Sequence, residues 1–169
     1  MANSCSWTGG TLQRTFTVPS GQTLTMGPGS YLYFGAGANL TNNGTIDWGN
    51  IYLYWQAGNP VINNNGVWNI NTAGYGLYYS TGYGQINNTG TINKNTSNIA
   101  YIQYVNPFNN TGTINVSEGT LDFTYVTFEN TSNIILAGGT FANSAGSTFN
   151  HASGSSITGN GAFTNAGTI

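Results

Sequence analysis

Apolar and polar residues alternate along most of this chain, and the alternation carries a recurring phrase. An apolar residue is followed two places later by Asn, two further on by Gly, and two after that by another apolar residue. It reads Leu40–Asn42–Gly44–Ile46, Ile62–Asn64–Gly66–Trp68, Ile86–Asn88–Gly90–Ile92 and Phe108–Asn110–Gly112–Ile114. It weakens to Phe128–Asn130–Ser132–Ile134 and returns as Phe163–Asn165–Gly167–Ile169. The first five leads are 22, 24, 22 and 20 positions apart. That period suits one coil of a solenoid and is too short for an independent domain. A spacing of two is strand periodicity, so all four phrase positions are expected to face inward. The residues between them, such as Thr41, Asn43 and Thr45, face out. Helices are not expected, because Gly and β-branched residues are frequent and no apolar stripe recurs at helical spacing.

A second strand is expected after each phrase, at Asn50–Trp55, Gly76–Tyr79, Asn98–Tyr104 and Thr120–Tyr125, with Ser30–Phe34 an earlier relative. Each coil then holds two or three short strands. Coils stacked about 4.8 Å apart, six or seven of them, give a rod roughly 30 Å long. The inward Asn42, Asn64, Asn88, Asn110 and Asn130 form a ladder in which each amide bonds the one above and the one below. This satisfies buried polar groups at about 0.5–1.5 kcal/mol per bond, a structural role rather than a chemical one. The Gly leaves room where the chain bends.

The tail breaks rhythm: after Phe128 the similar leads are Phe141, Phe149 and Phe163, and His151 stands in the Asn position if Phe149 leads a coil. One domain is expected over residues 1–169, with a cap or first coil at 1–30, regular coils at 31–137, and irregular coils with an open edge at 138–169. An open solenoid end is a sheet edge, expected to stack on further coils of a longer chain or on another copy of itself.

Charge narrows the function classes. Only 4% of residues are charged, against roughly 25% in an ordinary domain. Two basic residues, Arg14 and Lys94, cannot track a phosphate backbone or hold an anionic lipid surface, so neither nucleic acid nor membrane insertion is expected. Cys5 is the single cysteine, and no Cys/His spacing suggests a metal; no cofactor is implied either. A neutral surface rich in Asn, Thr, Gly and Tyr suits an extracellular setting.

The runs Phe108–Val116 and Gly159–Ile169 resemble repeats of filamentous-haemagglutinin-like and autotransporter-type bacterial adhesins. The resemblance implies an all-β fold, a single-stranded right-handed parallel β-helix (β-solenoid) with coils of about 20–24 residues. It also implies a cell-surface location and an adhesive or stalk role. The expected function is therefore a non-enzymatic extracellular rod, in a longer stalk or stacked end to end into a filament.

Two outward residue sets offer alternatives. Tyr52, Tyr54 and Tyr78 form an aromatic row suited to stacking on glycan, or to lateral contact between rods. Thr45, Thr89, Thr91, Thr111 and Thr113 are expected on one flat outward face, the arrangement an ice-binding protein uses to order water. A glycan-cleaving site needs clustered carboxylates, and the candidates are Glu118, Asp122 and Glu129. By repeat register Asp47 instead joins a column of Asn69, Asn93 and Asn115, and solvated surface carboxylates are the expectation for all four acids.

Overall fold

The phrase turns a corner at its Gly. In a computed structural model that describes residues 4–169, the apolar–Asn half lies on one strand and the second apolar residue on the next. Among the described residues, nineteen strands, all paired in parallel and with no helix, wind into a β-solenoid of about seven turns. Each coil lays a strand on each of three faces. Face one stacks Ser4–Trp7, Thr23–Met26, Thr45–Trp48 and Val67–Ile70, then the starts of the long strands Thr91–Asn110 and Thr113–Asn130. Asn133–Leu136 and Ser156–Gly159 complete it. Face two stacks Gly10–Leu12, Tyr31–Phe34, Tyr52–Trp55 and Gly76–Tyr79, the middles of the long strands, Thr140–Asn143 and Ala162–Asn165. Face three stacks Thr15–Val18, Asn39–Asn42, Val61–Asn64 and Gly84–Asn88, the ends of the long strands, and Thr148–His151.

Equal positions meet coil over coil, so the core is a set of vertical files. On face three the file is Leu40, Ile62, Ile86, Phe108, Phe128 and Phe149. On face one it is Leu24, Ile46, Trp68, Ile92, Ile114 and Ile134. All of these are buried, each stabilising the fold by about 1.5–3 kcal/mol relative to exposure. Toward the C-terminus the files become phenylalanine stacks, with Phe108 and Phe128 centroids 4.7 Å apart and Phe123 and Phe141 4.6 Å apart.

The corner Gly is required by stacking as much as by bending. A Cβ on Gly66 would press into the carbonyl oxygen of Gly44, one on Gly90 into that of Gly66, and one on Gly112 into that of Gly90. The same tight approach lets two successive amides, Thr89 and Gly90, share the Asn64 carbonyl. Where Ser132 replaces the Gly, only Thr131 donates to the Asn110 carbonyl.

The tail's rhythm is two files interleaved. Phe149 sits above Phe128 on face three, whereas Phe141 and Phe163 continue Leu121 on face two. The final copy, Phe163–Asn165–Gly167–Ile169, therefore stands one corner away from the five before it. Asn165 lies over Asn143 and accepts its amide at 2.6 Å, opening a second short ladder whose lower oxygen, Asn143 Oδ1, has no partner.

Candidate functional site

The inward asparagines form a continuous chain of hydrogen bonds. Asn42, Asn64, Asn88 and Asn110 each donate Nδ2 to the Oδ1 of the next coil's Asn at 2.7 Å, and Asn130 ends the chain at His151 Nδ1, 3.1 Å away. His151 thus takes the Asn position. All five asparagines are buried, and the second amide hydrogens of Asn42, Asn64, Asn88 and Asn130 reach backbone carbonyls, such as Asn42 to Val67 O at 2.9 Å. Buried and bonded to one another, these side chains belong to the scaffold.

Outward files run the opposite way. Asn63 donates to Asn39, Asn87 to Asn63 and Asn109 to Asn87, at 3.0, 2.8 and 2.9 Å. On face one Asn69 donates to Asp47 at 2.7 Å, Asn93 to Asn69 at 3.0 Å and Asn115 to Asn93 at 2.9 Å. Asp47 joins the column that the repeat register assigns it. As an ionised carboxylate it only accepts, so it turns every amide above it the same way.

The remaining carboxylates are spread round the coil. Asp122 lies on face two, accepting from Thr124 Oγ1 at 2.6 Å and Ser144 Oγ at 2.7 Å. Glu129 lies on face three, accepting from Asn150 at 2.7 Å, and Glu118 is exposed beside Asn95 at a corner. Among the described residues no three His, Cys, Asp or Glu side chains gather into a metal-holding group.

Lys94 is the least expected residue of the core. It occupies the file of Met26, Trp48 and Ile70 and is fully buried. Its Nζ donates to the Thr96 carbonyl, to Thr96 Oγ1 at 2.8 Å and to the Glu118 carbonyl at 3.4 Å. Burial pushes its pKa down to about 8, with the Glu118 charge opposing the fall.

The threonine set divides at the corner. Thr45, Thr91 and Thr113 share an outward file of face one, interrupted by Val67. Thr89 and Thr111 stand at the bend beside Gly90 and Gly112, so the five do not lie on one plane. The two hydroxyls at the bend are engaged: Thr89 Oγ1 donates to Asn65 Oδ1 at 2.9 Å and Thr111 Oγ1 to the Asn88 carbonyl at 3.4 Å.

The tyrosines come together. Tyr52, Tyr54 and Tyr78 are half-buried on the outer side of face two, where Tyr31 pairs with Tyr52 and Tyr33 with Tyr54 in register. Rings of Tyr33 and Tyr54 stack at 5.5 Å, those of Tyr31 and Tyr52 at 6.0 Å, and Tyr75 lies 4.7 Å from Tyr52. Tyr78 bridges Tyr54 at 6.0 Å and Tyr101 at 6.1 Å, its ring covering Gly76, where a Cβ would strike it. Burial, followed by the neighbouring phenols Tyr101, Tyr52 and Tyr54 and by Asp122, pushes Tyr78 up to about 12. Tyr54 is raised for the same first reason. Tyr31 and Tyr33 were readable from the matching strings Tyr31–Leu–Tyr–Phe34 and Tyr52–Leu–Tyr–Trp55; Tyr75 required the fold. A separate group, Tyr79, Tyr83, Tyr104 and Tyr125, lines the next corner, with Tyr104 and Tyr125 stacked at 4.9 Å. Tyr125 is 50% exposed there, its ring over Gly146, whereas Phe123 is buried.

Both described ends present apolar cross-sections. Trp7, Leu12, Phe16 and Leu24 line an open cavity of about 260 Å³ with Cys5 at the N-terminal end. At the other end Phe163 is half-buried and Ile169 is 70% exposed. No family model, curated protein or solved structure matches the chain. The chain is a parallel β-solenoid repeat protein of about seven turns.

Proposed function

We propose that this chain is a non-enzymatic structural rod of an extracellular surface, a length of adhesin-like stalk or a subunit that stacks end to end. The observation that carries this reading is the continuity of its files. Core and parallel strands run the length of the described solenoid, amide ladders bind its central coils, and the described ends are apolar, with Phe16 38% exposed and Ile169 70% exposed. Unpaired strand edges over an apolar core are favourable templates for another coil, of the same polypeptide or of a second copy. The outer surface carries Asn ladders and spaced carboxylates that hydrogen-bond one another, which suits a rigid spacer.

Light scattering and electron microscopy of the purified chain provide the test. End-to-end oligomers or filaments are expected, and Phe16→Lys, which puts a charge on the N-terminal cross-section, should return the chain to monomers. A wild-type chain that stays monomeric at high concentration would remove end stacking from the proposal.

A further inference from the structure

We propose that the tyrosine face is a binding surface for a neutral polysaccharide. Three properties of the face support this. It is preorganised: each ring is held by neighbours on adjacent coils, as Tyr54 is by Tyr33 at 5.5 Å and Tyr78 at 6.0 Å, so little side-chain freedom remains to be lost on binding. It is aromatic, and every ring carries a hydroxyl. Tyr31 stacks on Tyr52 and Tyr33 on Tyr54, Tyr78 lies over Gly76, and none of the phenol oxygens is a buried unpaired atom. Phenol donors and acceptors therefore stand beside apolar ring surface, the pairing that sugar hydroxyls and ring C–H groups need.

The third property is charge, and it selects the ligand. The chain has two basic side chains; Lys94 is buried in the core, and Arg14 lies between the first strands of faces two and three. Lys94 is closed off from an anionic sugar, and Arg14 stands outside the strands that carry the tyrosines. Asp122, paired in register with Tyr101, places the one nearby charge at the edge of the face and repels anions. The face extends over four coils, on the order of 14 Å at strand spacing, so it matches a length of chain rather than a single sugar. Tyr31, 47% exposed, begins the surface where Gly9 leaves the space beneath it open.

Affinity electrophoresis tests the proposal, with hydroxyethyl cellulose, laminarin and dextran as neutral probes and alginate as the anionic one. At least one neutral polysaccharide should retard the chain and alginate should not. Tyr52→Ser/Tyr54→Ser/Tyr78→Ser should weaken retention about tenfold or more. Tyr54→Phe/Tyr78→Phe keeps the rings and the packing, so it decides the matter if the triple variant does not fold; losing two hydroxyl contacts should weaken retention about threefold or more. Tyr79→Ser/Tyr83→Ser, at the neighbouring corner, should bind as the wild type does. The proposal is overturned if no neutral probe retards the chain, if alginate retards it equally, or if the folded Phe variant is retained like wild type. Side-by-side self-association abolished by the Phe variant, without glycan retention, would assign the face to a second copy and overturn it too. The test is independent of end stacking: a strict monomer that binds glycan fails that reading and leaves this one standing.

Discussion

Asn88 and Asn87 are adjacent in sequence, sit in equivalent files, and bond to asparagines one coil away at 2.7 and 2.8 Å. They differ in which side of the sheet they face. Asn88 is buried and Asn87 is half-exposed. A hydrogen bond contributes little net when water can replace it, and its loss costs most where water cannot. Similar ladders therefore hold the fold on one side of the sheet and decorate it on the other.

Breaking the inner ladder should produce the largest effect. Asn88→Leu leaves Asn64 Nδ2 and Asn110 Oδ1 facing an apolar side chain, and two such orphans cost about 2–6 kcal/mol together. That is a large share of an ordinary domain's stability, and denaturant unfolding should register it as a lower midpoint.

Lys94 sharpens the comparison, because it is an inward polar group with no stacked copy of itself. Its pKa is held near 8, below the ordinary 10.5, so between those values the unfolded chain binds the extra proton and stability should rise with pH. In Lys94→Met, which restores the apolar file, that rise should flatten, as unfolding measured from pH 7 to 10 will show. Above about pH 10 the tyrosine face works against the fold: Tyr78 ionises only near 12 when folded, so stability present below 10 is lost as pH climbs through that window. The smallest effect belongs to the outer file. Asn87→Ala should change stability by no more than about 0.5 kcal/mol, because solvent replaces its partners. A loss comparable to that of Asn88→Leu would mean that burial is not what separates the two ladders.

Much of this was legible in the sequence, because a repeat states the same geometry several times. The spacing of two placed Asn42 through Asn130 in one inward file, and the repeat length aligned Asp47 with Asn69, Asn93 and Asn115. What was not legible depends on where the chain turns. Thr89 and Thr91 are two apart and read as one outward pair, but the bend at Gly90 sends them to different surfaces. The steps between Phe141, Phe149 and Phe163 looked irregular because they mix two faces. Lys94 has the periodicity of a core position and the chemistry of a surface one; its hydrogen bonds to the Thr96 carbonyl and hydroxyl and to the Glu118 carbonyl reconcile them. The tyrosine face needed both registers at once, since Tyr75 reaches it from a turn.

The one-way run of the amides gives the rod a head and a tail. Inner amides point their NH₂ groups toward the C-terminal end and outer ones point theirs toward the N-terminal end. Two copies meeting at like ends would bring files of opposite direction together and run their strands antiparallel. An end-on contact that extends the files must therefore be heterologous, each copy offering one end and receiving the other. Such a contact does not close into a symmetric dimer, so assembly by this route is open-ended, and its length must be set by something other than the contact itself.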